Sequence, residues 1–269
     1  MKNERFMKPI NFQGNDIMNS RFGFVIRVSF AMVASLILFA PYCDAIELHA
    51  GDIIVTDRGD NDAAIYHVDP KTGTRTVIVE FDPSLQTTLW DSALDGTDLY
   101  VYSSSLLVDG SFLGPSLLRV DLRSGEFTRL PIDASFAGIA TESAGTLVVA
   151  GRHGVQRIDL KTSEITTISS GGLLVGTDAI TVEADGGILV ATYNWEGSIP
   201  DSTQSLVRIH PDTGAQALIS TTAPGVRLGD IAVDGMGNVY CPYWTYLGAT
   251  GILQIDGQNR VQDIIYTTG

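Results

Sequence analysis

The stretch Leu117-Leu118-Arg119-Val120-Asp121 decides the fold, because four further copies of its pattern recur along the chain. Each copy begins with an aliphatic residue and has Ile or Val at its fourth position. Asp occupies the fifth position in every copy except the fourth, which ends in His210. The copies are Ile65–Asp69, Leu117–Asp121, Val155–Asp159, Leu206–His210 and Ile252–Asp256, at spacings of 52, 38, 51 and 46 residues. A repeat of about 40–50 residues is typical of a β-propeller blade.

Each copy is flanked by further strand-forming segments. A short turn and another Thr- or Ile-rich strand follow it, and four copies also have a complete preceding hairpin, which is clearest at Gly229–Tyr240. The sequence therefore predicts an all-β protein, a β-propeller of about five four-stranded blades. Only Ile46–Ala50 remains for the innermost strand of the first copy, so six blades with one incomplete is an open alternative.

Two family resemblances accompany this repeat. The Gly-Asp-Ile-Ala-Val-Asp and Gly-Asn-Val-Tyr runs within Gly229–Tyr240 resemble the NHL-repeat propellers. More distantly, the chain is similar to the gluconolactonase/regucalcin propellers, which are metal-dependent. The resemblance implies that ligands sit at one mouth of the central channel, near the start of the innermost strands.

The N-terminal 45 residues have the three parts of a secretory signal peptide. Five basic residues precede an apolar run from Val28 to Ala40, and Cys43-Asp44-Ala45 places a small residue before Ile46. We therefore expect a signal peptide over residues 1–45 and a propeller domain over 46–269, exported to the periplasm or beyond the cell. An uncleaved membrane anchor is the alternative, but the apolar run is short for a span.

The charge of the chain argues against nucleic acid as a partner. Its 31 acidic residues outnumber 17 basic ones, and an acidic surface repels phosphate backbones. Beyond the signal segment no membrane association is expected, and the protein is expected to be a monomer. Cys241 is the single cysteine after residue 45 and lies on an apolar strand, which predicts a buried thiol.

Three carboxylates are the candidates for a metal site. The channel mouth implied by the resemblance would hold Asp91, Asp178 and Asp230, and converging carboxylates bind hard cations such as Ca²⁺. The alternative is that each aspartate accepts hydrogen bonds from nearby backbone N–H groups.

Aromatic residues gather in the same predicted loops and suggest a ligand platform. These candidate ligand-binding residues are Trp90, Tyr193, Trp195, Tyr243 and Trp244. Trp and Tyr offer a large contact area with a polar group, which suits a sugar or a peptide, although packing between blades is the competing role.

Two functions follow from these candidates. The first is a binding module for a protein, peptide or glycan, and the second is a metal-dependent, lactonase-like hydrolase. The sequence favours the first, because it contains no complete catalytic set and a fold does not dictate function. Whether the protein is an enzyme is left open.

Overall fold

The computed structural model describes residues 25–27, 48–49, 51–57, 63–81, 87–105, 107–108, 111–112, 114–132, 136–193, 202–257 and 262–268. The described residues form β-strands, turns and bends, and none of them is helical. Five four-stranded antiparallel blades are arranged as a β-propeller. The predicted fold class is therefore confirmed, with five as the number of blades.

The strands follow the chain blade by blade. Blade 1 contains β1 (Val25–Arg27), β2 (Ile53–Asp57), β3 (Ala64–Val68) and β4 (Arg75–Glu80). Blade 2 contains β5 (Thr88–Asp95), β6 (Asp98–Ser105), β9 (Ser116–Asp121) and β10 (Phe127–Arg129), with a separate hairpin of β7 (Leu107–Val108) and β8 (Ser111–Phe112) inserted after β6. Blade 3 contains β11 (Phe136–Ser143), β12 (Thr146–Gly151), β13 (Gly154–Asp159) and β14 (Ile165–Ser169).

The last two blades complete the set. Blade 4 contains β15 (Thr177–Val182), β16 (Ile188–Tyr193), β17 (Gln204–Ile209) and β18 (Gln216–Thr221). In blade 5 the innermost strand is interrupted, so that β19 (Val226–Leu228) and β20 (Ala232–Val233) both pair with β21 (Val239–Thr245), followed by β22 (Thr250–Ile255) and β23 (Gln262–Thr268).

The hydrophobic core lies between consecutive blades. Four buried clusters join blade 1 to 2, 2 to 3, 3 to 4, and 4 to 5. All six residues of β16 are buried, because blade 4 is covered on both faces. The innermost strands β5, β11 and β15 contact one another in sequence, which places them around the central channel. Among the described residues, no comparable buried cluster joins blade 5 to blade 1.

The innermost strand of blade 1 differs from the expectation. It is β1, which pairs antiparallel with β2 through Val25–Thr56 and Arg27–Ile54 rather than coming from Ile46–Ala50. An innermost strand satisfies the backbone N–H and C=O groups along the edge of β2. Because β1 lies inside the predicted signal segment, cleavage after residue 45 would remove it, and that cleavage remains a prediction.

The aspartates that end the first three repeat copies form turns at the outer hairpins of blades 1 to 3. Asp69, Asp121 and Asp159 each accept a hydrogen bond from the backbone N–H two residues later, at 2.7–2.8 Å. His210 takes the same role in blade 4, where its Nδ1 accepts from the backbone N–H of Asp212 at 3.2 Å. This shared turn explains why His can replace Asp in the fourth copy.

In blades 1 to 4 the third position of the repeat carries a side chain that pairs with an acid of the same blade. Arg119 lies 2.7 Å from Asp98, and Arg157 lies 2.5 Å from Glu142. Arg208 contacts Glu183 in the same way, and in blade 1 the pair is His67 with Asp52 at 3.0 Å. These pairs fasten the middle strands of a blade at the end opposite the predicted site.

Two further features bear on the sequence predictions. Cys241 is a free, fully buried cysteine, as predicted, and its burial raises the pKa of the thiol to about 12. Within the described ranges, no helix has the length and apolar character needed to cross a membrane.

Candidate functional site

The predicted site residues lie toward one end of the propeller, which we call the mouth. It is the end at which the innermost strands begin and the second strands of the blades finish. Trp90, Asp91 and Asp178 lie in the first halves of β5 and β15, while Tyr193 and Trp244 lie at or near the ends of β16 and β21. Strand direction therefore brings residues far apart in sequence to one surface.

A β-bulge shifts the register of the innermost strand in blades 2, 3 and 4, and it gives Asp91 and Asp178 different positions. The bulges fall between Leu89 and Asp91, between Phe136 and Gly138, and between Thr177 and Ala179. Asp178 therefore sits inside a bulge, at the position that Trp90 occupies in blade 2, whereas Asp91 corresponds to Ala179. An inserted residue reverses the alternation of side chains, so Asp91 and Asp178 point differently.

Asp91 links two blades rather than facing the channel as a free ligand. Its carboxylate is buried and accepts hydrogen bonds from the backbone N–H of Ser92 at 2.7 Å and of Ile139 at 2.8 Å. Ile139 belongs to the innermost strand of blade 3. Asp230 is also buried and accepts from the backbone N–H of Ile231 at 2.8 Å. These contacts match the hydrogen-bonding alternative raised from the sequence.

Gly138 occupies the position of Asp91 in blade 3, and here the blades approach too closely for a side chain. A Cβ at Gly138 would lie 3.0 Å from the Ile180 nitrogen and 3.1 Å from the Ala179 Cα. Gly138→Ala should therefore push blades 3 and 4 apart and lower the free energy of unfolding by about 1–3 kcal/mol. Urea denaturation measures this loss. Gly145→Ala does not serve as a control, because the backbone at Gly145 has a φ of +76°, which strains any residue with a side chain.

Gly235 offers a better control for that substitution. No atom lies within 4 Å of the Cβ that alanine would place there, and its φ is not positive. We expect Gly235→Ala to leave stability nearly unchanged. Equal effects of the two substitutions would contradict the close approach of blades 3 and 4.

A polar cluster joins blades 4 and 5 at the mouth. The side-chain amide of Gln204 donates to the Asp178 carboxylate at 2.8 Å, and its carbonyl oxygen accepts from the backbone N–H of Leu228. Gln204 is only 1% exposed, so both of its amide ends are satisfied inside the interface. The buried amide thus fixes the Asp178 carboxylate against the innermost strand of blade 5.

Arg227 extends this cluster across the blade interface. Its guanidinium carbon lies 4.3 Å from the centre of the Tyr193 ring, and its Nη2 donates to the Tyr193 hydroxyl at 2.5 Å. The Tyr193 hydroxyl in turn donates to Ser202 Oγ at 3.2 Å. Cation–π stacking and the hydrogen bond together hold the guanidinium beside Asp178.

The environment of Asp178 raises the pKa of its carboxyl group. Desolvation raises the pKa of this carboxyl group above the ordinary value, while attraction to Arg227 and the hydrogen bond from Gln204 lower it in part. The side chain remains accessible to solvent at the mouth although protein surrounds the carboxyl group. The Gln204 amide and the Arg227 cation therefore hold the Asp178 carboxylate, and one side of this residue stays open to a ligand.

The aromatic candidates divide between surface and core. Trp90 and Trp244 are 42% and 41% exposed, whereas Tyr243 is buried in the cluster between blades 4 and 5. Tyr193 is also buried, beneath Arg227. Trp195 lies outside the described residues. Two tryptophans thus present indole surface at the mouth, and the two tyrosines pack between blades.

Trp244 is an exposed aromatic residue on β21, the strand that pairs with the strand of Arg227. It lies opposite Arg227 in the antiparallel pairing of β19 with β21. Gly229 makes room for its ring, because a Cβ there would lie 3.4 Å from Trp244 Cζ3 and 3.2 Å from Pro242 Cγ. The exposed indole therefore lies on the side of blade 5 opposite to Tyr243, on the strand that pairs with the strand of Arg227.

The predicted cation site finds no support in the described residues. The described residues include all three candidate aspartates. They contain no group of three or more His, Cys, Asp or Glu side chains arranged to hold a metal ion. The Ca²⁺ hypothesis stays a prediction from the sequence.

Similar known proteins are found by structure and not by sequence. No protein-family model and no curated protein matches this chain. A putative TolB from Agrobacterium tumefaciens matches 80% of this chain and 76% of its own, with 9% identity and a TM-score of 0.60. TolB from Acinetobacter baumannii matches 78% of this chain with 16% identity and a TM-score of 0.56, and this chain spans 50% of its length.

A third match is the GH74 xyloglucanase from Xanthomonas campestris, with 16% identity and a TM-score of 0.52 over 80% of this chain and 36% of the enzyme. Identities this low show the fold alone. They support a β-propeller and assign this chain neither to the NHL-repeat nor to the gluconolactonase/regucalcin propellers.

Three residues of the site were missed from the sequence: Ser202, Gln204 and Arg227. Gln204 carried a weak signal, since it is a polar residue at the start of a strand that continues to Leu206 and Val207. Arg227 and Ser202 lie beside turns, where polar residues are ordinary. Their importance follows from contacts with Asp178 and Tyr193 that span 9 to 34 residues of sequence.

Proposed function

We propose that this protein is an exported binding module that recognises an uncharged glycan at the mouth, between blades 4 and 5. The observation that carries the proposal is the cluster in which the carboxylate of Asp178 and the guanidinium of Arg227 lie together at the mouth. The exposed indole of Trp244 is on the paired strand, opposite Arg227 in the register.

The chemistry of the cluster suits vicinal hydroxyl groups. Asp178 accepts one hydrogen bond from Gln204, and a carboxylate has capacity for several more. Arg227 is a multiple donor whose positive charge offsets the charge of Asp178. A site with both signs of charge attracts neither cations nor anions strongly. It can still accept hydrogen bonds from hydroxyl groups and donate hydrogen bonds to them. The Trp244 indole adds an apolar face on which a sugar ring can stack.

Export is part of the same proposal. It is supported by the basic and apolar segments before Ile46, which have the order of a signal peptide. Glycans and other ligands of an exported protein would meet the mouth directly, since its site is accessible to solvent.

The test is binding of neutral gluco-, xylo- and manno-oligosaccharides, with random peptides as the competing probe. Calorimetry or tryptophan fluorescence measures affinity. Asp178→Asn should weaken glycan binding by roughly tenfold or more, because a charged hydrogen bond contributes about 1.5–3 kcal/mol. Trp244→Ala should weaken it by up to about tenfold through lost stacking.

Trp90→Ala is the matched control, because the two indoles are almost equally exposed. It should leave affinity nearly unchanged. Equal losses for Trp90→Ala and Trp244→Ala would place the ligand elsewhere on the mouth. Binding of peptides and of no glycan would replace the proposed ligand class. Within the described residues, no arrangement of side chains specifically favours the metal-dependent hydrolase.

A further inference from the structure

The innermost strands share a position that the strand register aligns from blade to blade. It lies across the second strand of the blade from the second residue of the repeat, and we call it the inner position. In blade 1, for example, Tyr66 pairs with Val55, and Val55 pairs with Ile26 of β1. The residues at the inner position are Ile26, Ser92, Ile139 and Ile180 in blades 1 to 4, and Ile231 in blade 5, directly before the pair of Ala232 with Tyr240.

The residue before the inner position faces the inner position of the following blade. Asp91 of blade 2 accepts a hydrogen bond from the backbone N–H of Ile139 in blade 3, at 2.8 Å. At the next junction, a Cβ at Gly138 of blade 3 would lie 3.0 Å from the backbone nitrogen of Ile180 in blade 4. Two successive junctions therefore direct this position of one blade at the same backbone nitrogen of the next blade.

Asp230 holds in blade 5 the position that Asp91 holds in blade 2. Both carboxylates are buried, and each accepts from the backbone N–H of the residue that follows it, which is Ser92 at 2.7 Å and Ile231 at 2.8 Å. A carboxylate accepts several hydrogen bonds, so one such contact leaves room for a donor from a neighbouring blade. In a ring of five blades, the blade after blade 5 is blade 1, and its inner position is Ile26.

We propose that Asp230 closes the ring of blades by accepting a hydrogen bond from the backbone N–H of Ile26 in β1. The strand β1 is then held on two sides, by its pairing with β2 and by the carboxylate of blade 5. Such a link suits this junction, because the described residues contain no buried apolar cluster that joins blade 5 to blade 1. It gives Asp230 a role other than the cation ligand predicted from the sequence.

The link makes β1 a strap between the first and the last blade. Cleavage after residue 45 would remove this strap, exposing the backbone groups along the edge of β2 and taking away the donor that blade 1 offers to Asp230. Closure of the ring and removal of the N-terminal segment therefore exclude each other. The proposal does not rest on the glycan site, which does not include Asp230.

Amide hydrogen exchange of the full chain, resolved to single residues, tests the link. We expect the Ile26 amide to be protected in the wild-type chain. Asp230→Ala should speed its exchange by at least about tenfold, because the amide loses a hydrogen bond to a charged acceptor, and should leave the Ile139 amide unchanged. Asp91→Ala is the matched control, for which we expect the reverse: faster exchange at Ile139 and none of this change at Ile26.

Asp230→Asn provides a second variant, which serves where the alanine variant does not fold. Its amide oxygen still accepts, so exchange at Ile26 should be intermediate. Exchange of the wild-type Ile26 amide at the rate of an unstructured peptide would overturn the proposal. So would an Asp230→Ala variant in which Ile26 is unaffected, or in which Ile26 and Ile139 accelerate equally, because the loss would then be general and not confined to the strap.

Discussion

Leu206→Ala should lower the free energy of unfolding by about 3 kcal/mol, while Ile252→Ala should lower it by about 1 kcal/mol or less. The two residues hold the same position of the repeat, in blades 4 and 5. Leu206 is 1% exposed within the cluster between these blades, and Ile252 is 36% exposed. Truncation of Leu206 removes buried methyl groups and leaves a cavity, whereas solvent already reaches Ile252.

Equilibrium unfolding in urea measures both losses. The comparison is internally controlled, because both substitutions shorten an aliphatic residue at one repeat position. A loss at Ile252 as large as the loss at Leu206 would show that another part of the chain covers blade 5.

Asp91→Ala should cost about 3–4 kcal/mol of folding free energy. Its buried carboxylate accepts from the backbone N–H groups of Ser92 and Ile139, so alanine leaves buried donors without their acceptor. Ile139 belongs to blade 3, and the loss therefore weakens the junction of two blades. Thermal or urea unfolding measures the change, with Asp91→Asn expected to be intermediate because the amide oxygen still accepts.

Asp69→Ala is the matched control for Asp91→Ala. Asp69 also accepts from backbone N–H groups, including that of Lys71, but it lies in an exposed turn where water replaces the lost acceptor. Its replacement should have a much smaller effect. Similar losses at the two positions would contradict the role of Asp91 as a buried link between blades.

The local pattern was enough to predict the blades. Alternating apolar residues, Gly-containing turns and the repeat that begins at Ile65, Leu117, Val155, Leu206 and Ile252 act over a few residues. Strand and turn formation depend on such short-range preferences. The all-β class, most strand positions and the buried Cys241 could therefore be predicted from the sequence.

The site could be predicted only in part, because it depends on contacts between residues that are far apart in the sequence. Asp178, Tyr193 and Trp244 lie near the mouth, but a bulge gives Asp178 a different position from Asp91. A bulge depends on pairing with the next strand and leaves little trace in composition. Gln204 and Arg227 become part of the site only when blades 4 and 5 meet.

The sequence by itself determined a repeated four-stranded blade, because each repeat encodes its own strands and turns. The tertiary structure alone decided which blade faces are covered, how β1 completes blade 1, and that Arg227 stacks on Tyr193. These outcomes depend on contacts between residues distant in the chain, and a pattern of neighbouring residues does not specify which distant surfaces meet. Ile252 shows the difference: its sequence position matches four buried residues, yet in the folded chain it is 36% exposed.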